Sequence, residues 1–147
     1  MEIKIRRSKP RDMEDCIRIN ESIWGKEWKD IDYLKERVSK NELLVAVNER
    51  NKVVGYIAFR RRYWNINYFI EEIAVEPENQ RKGIGSMLVK ELEKICSKDN
   101  ARLFSSTDSE NEKSIKFHEK NNFSRCGFIK NMFKEGKTEI VFSKKDW

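Results

Sequence analysis

At 147 residues the chain has room for one domain with a real core, and neither a linker nor an internal repeat marks a second, so residues 1–147 are read as a single domain. Apolar and charged residues each make up 38%, which excludes a chain too polar to fold, and the longest apolar runs are strand-length, which excludes a membrane-spanning helix. The net charge of +6 favours anionic partners, whereas one histidine and three scattered cysteines exclude a histidine-rich metal centre, a CxxC zinc site and a disulfide framework.

Ile3 and Ile5 alternate with Lys4 and Arg6, which predicts a short first strand. The opening Met1-Glu2-Ile3-Lys4-Ile5 has no signal-peptide core, so a cytoplasmic protein is expected. Ser8 or Pro10 starts a helix through Met13, Cys16, Ile17, Ile19 and Asn20, with acids in its first turn. Trp24 and Trp28 are read as flanking Gly25 in a connecting loop, and Asp30 as the N-cap of a second helix carrying Tyr33, Leu34 and Val38. Residues 43–47 and 53–59 read as strands joined by the turn Asn48-Glu49-Arg50-Asn51. Arg60-Arg61-Arg62-Tyr63-Trp64 is the one place where bases and aromatics interleave. Its ordinary reading is a solvated strand end and loop; its functional reading is a nucleic-acid contact.

The next strand, residues 68–75, ends at Pro77, and Gln80-Arg81-Lys82-Gly83-Ile84-Gly85 follows it into an amphipathic helix with Met87, Leu88, Leu92 and Ile95 on one face. Glycines at the mouth of a helix let the backbone approach a ligand and aim unpaired N–H groups at it. The helix dipole adds a preference for negative charge, which suits a phosphate or pyrophosphate. A P-loop is excluded because no GK[ST] follows Gly83, and a dinucleotide fingerprint because Leu88 stands where its third glycine should fall. Residues 103–106 read as a short strand, 111–121 as a helix with Ile115, Phe117 and His118, and the stretches around 126–133 and 138–142 as closing strands turning over Glu135-Gly136. Strands with helices interposed predict a mixed α/β (α+β) sheet flanked by helices.

The strand Glu71-Glu72-Ile73-Ala74-Val75 feeding Gln80-x-x-Gly83-x-Gly85 resembles the GNAT superfamily of acetyl-CoA-dependent N-acetyltransferases, with its [QR]xxGx[GA] signature. Asn111-x-x-Ser114-Ile115-x-Phe117-His118-Glu119-Lys120-x-x-Phe123 is similar to a second stretch of that family. Two residues depart from the pattern. The usual tyrosine is His118, and the usual glycine before Phe123 is Asn122, which tolerates a left-handed backbone.

The resemblance implies a GNAT-like acyl-CoA N-acyltransferase fold with acetyl-CoA as co-substrate and no metal. Its pyrophosphate would sit on Gln80, Arg81, Lys82, Gly83, Ile84, Gly85 and Ser86. Its pantetheine arm would pair with the backbone of Ile73 and Val75 and with the side-chain amide of Asn111. Transfer to an amine needs a base, a held carbonyl and a proton donor for the leaving thiolate. Glu71 is taken as the base, directly or through water, against the alternative of a strand carboxylate paired with a basic neighbour. Alternation puts Glu71 and Glu72 on opposite faces unless a bulge intervenes. His118 is read either as the proton donor in the tyrosine's place or as a packed helix-face residue.

Trp24 and Trp28 are the better acceptor-cleft candidates, whereas Tyr33, Tyr63, Trp64 and Tyr68 are read as core. Glu21, Glu27, Asp30, Asp32 and Glu71 are loose candidates for an acidic cleft. The function implied is transfer of acetyl from acetyl-CoA to a primary amine of a small molecule or protein, in a ternary complex, with no membrane partner. The resemblance makes the closing strands the place for a homodimer. The competing class is a non-catalytic basic module that contacts nucleic acid or an acidic protein through Arg60–Arg62.

Overall fold

The architecture is that of a computed structural model, which describes residues 2–26 and 31–147. In chain order the described elements are β1 (Lys4–Arg7), α1 (Met13–Trp24), α2 (Ile31–Ser39), β2 (Leu43–Val47), β3 (Val53–Trp64), β4 (Asn67–Val75), α3 (Ile84–Lys98), β5 (Leu103–Asp108), α4 (Glu112–Lys120), β6 (Ser124–Lys130) and β7 (Thr138–Lys144). The seven strands form one mixed sheet in the order β1-β2-β3-β4-β5-β7-β6. β4 runs parallel to β5, with Tyr68 opposite Leu103 and Phe69 opposite Phe104.

The chain clusters into two compact units, Met1–Arg60 with Glu71–Ile95 and Arg61–Ile70 with Cys96–Trp147. In the first, β2 and the first seven residues of β3 are wholly buried, and Cys16 and Ile19 of α1 and Leu34 of α2 pack on Val45, Tyr56, Ala58 and Ala74. Arg37 of α2 is also buried and donates to Glu42 Oε1 at 2.7 Å, an ion pair that ties the end of that helix to the start of β2. In the second unit the inward positions of β5 alternate with half-buried ones, as a strand with one apolar face requires. Asn111 caps α4 by accepting from the Ser114 N–H at 3.1 Å. Cys16 and Cys96 are buried and Cys126 is exposed, all as free thiols; burial first, then nearby acids, push Cys16 up to about 12.

Several boundaries move from the sequence expectation for identifiable reasons. Trp24 is the last residue of α1 rather than part of a loop, because Gly25, with φ +85°, ends the helix and donates to the Glu21 carbonyl at 2.8 Å. Trp28 and Asp30 lie outside the described residues. β3 continues through the arginine run to Trp64, since a solvated strand end needs ladder bonds and no apolar side chains. β6 stops at Lys130 because Asn131 turns left-handed at φ +59°, leaving Met132 and Phe133 exposed in the turn. Asn122 is left-handed at φ +64°, as its place before Phe123 requires.

Gly55 is a point of close approach. A Cβ there would lie 3.0 Å from the Ala74 carbonyl oxygen, 3.3 Å from Val75 and 3.5 Å from Ile84. The nearest atom is backbone and cannot swing away. Gly55→Ala is therefore expected to cost about 1–3 kcal/mol. Urea denaturation should show a lowered midpoint at unchanged slope, and an unchanged midpoint would contradict this contact.

Candidate active site

The glycine motif builds the first part of the site. After β4 the chain makes a short 3-10 turn over Pro77–Asn79, passes Gln80, and bends left-handed twice, at Arg81 (φ +64°) and Gly83 (φ +82°), before α3 begins. The Met87 N–H donates to the Gly83 carbonyl at 3.0 Å, so the amides of Ile84, Gly85 and Ser86 precede the first intrahelical donor and have no acceptor within the helix. No acidic residue sits in that first turn, and Arg81, Lys82 and Gly83 are exposed. A Cβ on Gly83 would meet nothing within 4 Å. Backbone conformation, not crowding, is what calls for glycine there, and the space beside it is open. Gln80 turns inward instead of facing outward: its Nε2 donates to the Val75 carbonyl at 3.0 Å, fastening the turn to the strand end. Ile84 is buried and anchors the helix start, while Ile73, Val75, Gly85 and Ser86 are half-buried.

The two consecutive carboxylates of β4 have different surroundings. Glu71 is ion-paired with the Arg60 guanidinium. Glu72 accepts from Asn20 Nδ2 at 3.0 Å and from the Tyr56 hydroxyl. Burial pushes the Glu72 carboxyl up to about 7, with the Asn20 hydrogen bond offsetting part of the rise. Tyr33 lies against both: burial first, then the charges of Glu71 and Glu72, raise its hydroxyl pKa. Tyr56 and Arg60 are four residues apart and so share one face of β3, yet their partners are adjacent in β4. Both carboxylates thus reach the layer of α1 and α2, and the strict alternation expected of the pair is broken.

His118 and Asn111 belong to the second unit, whereas the glycine turn, Glu71, Glu72 and Trp24 belong to the first. His118 is buried, stacks on Phe142 at 4.4 Å between ring centres, and meets Phe123 edge-on. Its Nδ1 lies 2.7 Å from the Ser114 carbonyl, which can only accept, so Nδ1 carries the proton. Nε2, 2.8 Å from Ser105 Oγ, then accepts from that hydroxyl. In this geometry the neutral ring has no N–H left for a departing thiolate; it is a satisfied, packed histidine. The Asn111 cap uses only Oδ1. Trp24 is 45% exposed at the end of α1.

Of the aromatics read as core, Tyr68 is buried, but Tyr63 and Trp64 are exposed and pack against Phe69. The arginine run is partly turned inward: Arg60 holds Glu71, and Arg61 Nη1 donates to the Tyr68 hydroxyl at 3.1 Å. Among the described residues no group of three His, Cys, Asp or Glu could hold a metal ion, and no helix is long and apolar enough to cross a membrane.

Sequence reasoning passed over Glu72, Asn20, Tyr56 and Glu76. Glu72 differs from Glu71 in its buried partners, and Asn20, Tyr56 and Glu72 come from three separate elements with no common spacing. The proximity of Glu72 to Glu71 was the one signal in the sequence.

A mixed sheet whose strand β4 carries a desolvated carboxyl and leads through a left-handed turn into a helix with open first amides places the protein in the α/β class. The sequence model of the Acetyltransferase (GNAT) family matches residues 13–123, and the chain belongs to that family. Among solved structures, the fold is shared with a GNAT acetyltransferase from Bacillus cereus ATCC 10987 at 24% identity and TM-score 0.85, covering 100% of this chain and 99% of that one. An N-acetyltransferase from Staphylococcus aureus Mu50 superposes with TM-score 0.78 at 23% identity, covering 99% of each chain. An aminoglycoside 6'-N-acetyltransferase complexed with coenzyme A superposes with TM-score 0.81 at 20% identity, covering 98% of this chain and 96% of that one. No curated protein sequence matches the chain.

Burial depresses the His118 pKa below the usual 6.5, partly offset by the Ser114 carbonyl. The unfolded chain therefore takes up a proton at a higher pH than the folded one. His118 contributes stability that is present above about pH 6.5 and lost as pH falls through its folded value. Glu72 works in the opposite sense, because its folded pKa is raised. The stability difference between wild type and His118→Phe should thus shrink as pH falls from 7 to 5 in denaturation titrations; a constant difference would contradict a neutral buried ring.

Proposed function

We propose that the chain is an N-acetyltransferase that moves acetyl from acetyl-CoA to a primary amine of a small-molecule or protein acceptor, by direct transfer in a ternary complex. One observation carries this reading: the left-handed turn at Arg81 and Gly83, which opens α3 with three amides lacking intrahelical acceptors, no acid in the first turn and open space beside Gly83. That chemistry fits a pyrophosphate. Membership of the GNAT family supports it, as does the coenzyme A held by the aminoglycoside acetyltransferase of like fold.

Acetyl-CoA, when bound, supplies an acetyl group activated as a thioester. The chain's own groups supply the rest. Arg81, Lys82 and the amides of residues 83–86 hold the pyrophosphate. The backbone of Ile73 and Val75 pairs with the amide-bearing arm as an added strand pairs with a sheet edge, the Val75 carbonyl also serving Gln80. The acceptor amine must lose a proton, and a base titrating near the working pH is the effective one. Glu72, at about 7, meets that condition, with Asn20 and Tyr56 both donating to its Oε1 and fixing the carboxyl. Glu71 is the weaker candidate because the Arg60 guanidinium competes with any amine for its carboxylate.

Isothermal titration should give micromolar or tighter binding of acetyl-CoA to the wild type, and none to Gly83→Glu, which puts a side chain at φ +82° and an anion against a helix N-terminus. Absence of wild-type binding would overturn the donor assignment. An acceptor panel followed by CoA release identifies the amine. With that acceptor, Glu72→Gln should lower turnover roughly 100-fold or more. Acetyl-CoA affinity should stay the same, and the rise in rate through about pH 7 should disappear. If Glu71→Gln produces that loss and Glu72→Gln does not, the base is Glu71.

A further inference from the structure

Glu76 lies one residue beyond β4, almost fully buried, and belongs to no motif of the sequence. A buried carboxylate requires partners. Arg18 of α1 is one: its Nη1 donates to Glu76 Oε2 at 2.9 Å and its Nη2 to the Val53 carbonyl at 3.1 Å. Lys52 Nζ stands 4.0 Å from the same carboxylate oxygen. The other oxygen, Oε1, accepts from Asn79 Nδ2. Asn79 Oδ1 in turn accepts from the Lys82 ammonium at 3.1 Å. A carboxylate only accepts and an ammonium only donates, so a single orientation of the amide between them satisfies both. The backbone fixes the same corner, through the Glu76 N–H to the Val54 carbonyl and the Asn79 N–H to the Glu76 carbonyl, each at 2.9 Å.

We propose that Glu76 and Asn79 are positioning residues that hold the Lys82 ammonium at the phosphate seat, with Arg18 as the half-exposed counter-charge of the buried Glu76; this rests on reading residues 80–86 as that seat. A lysine loses more rotamer freedom on ordering than almost any other side chain. One already aimed loses less when the ligand arrives, and the difference adds to affinity. The relay also lets the packing of α1 bear on a residue of the cofactor turn far from it in sequence.

The test is a double-mutant cycle on Asn79 and Lys82, read by CoA titration and by 15N relaxation of the Lys82 Nζ in the ligand-free protein. Glu76 itself is left intact because Arg18, Asn79 and the turn after β4 all bond to it, and its loss can unfold the corner. Asn79→Ala should lower the order of the Lys82 ammonium and raise the Kd for CoA roughly three- to tenfold, the range that ordering one long side chain spans. In a Lys82→Met background the same substitution should add nothing, since its partner is gone. Equal losses in both backgrounds, or an unchanged Lys82 ammonium in Asn79→Ala, would overturn the relay. A wild type that does not bind CoA overturns the phosphate-seat reading instead, and the ammonium order still decides the relay without ligand.

Discussion

The structure turns on one constraint: a strand must become a helix within eight residues while leaving the helix's first amides unspent. A side-chain cap on α3 would satisfy those amides and close the helix N-terminus to any ligand. The chain instead bends left-handed at Arg81 and Gly83 and secures the bend from behind, through Gln80 on the Val75 carbonyl and Glu76 on Arg18. Polar side chains that in another helix would cap the amides are here spent on the backbone and on one another. The close approach of Gly55 to Ala74 belongs to the same solution, since it sets the strand end against which Ile84 packs.

Electrostatics separate what the sequence repeats. Glu71 and Glu72 are chemically identical and adjacent. One meets a guanidinium, and the other meets an amide, a phenol and the core. Desolvation dominates the second, and its carboxyl moves up to about 7. His118 shows the converse. Its type and register suit acid–base work, but Ser105, Ser114 and Phe142 use up its polar atoms and cover its face.

Much of the fold was legible because it rests on short-range rules. Alternation marked β1, apolar runs joined by a turn marked β2 and β3, an amphipathic face marked α3, and Gly83 with Gly85 marked the turn that opens it. The family's glycine signature and the register of Asn111 to Phe123 carried the acyltransferase assignment, and the family match over residues 13–123 agrees with it. Less legible were features made by residues distant in sequence. The extension of β3 through Arg60–Arg62 depends on ladder bonds to a neighbouring strand, and polarity alone hid it. Glu76 was invisible for the same reason, because its meaning lies in Arg18, 58 residues away.

By itself, then, the sequence determined the order of elements, the glycine turn that opens α3 and the family, because each is written in local spacing and backbone preference. Tertiary structure decided which carboxylate is desolvated, that both ring nitrogens of His118 are bonded within the core, and that Asn79 links Glu76 to Lys82. Those properties are set by desolvation and by partners brought from other elements, and the spacing of residues along a chain does not encode either.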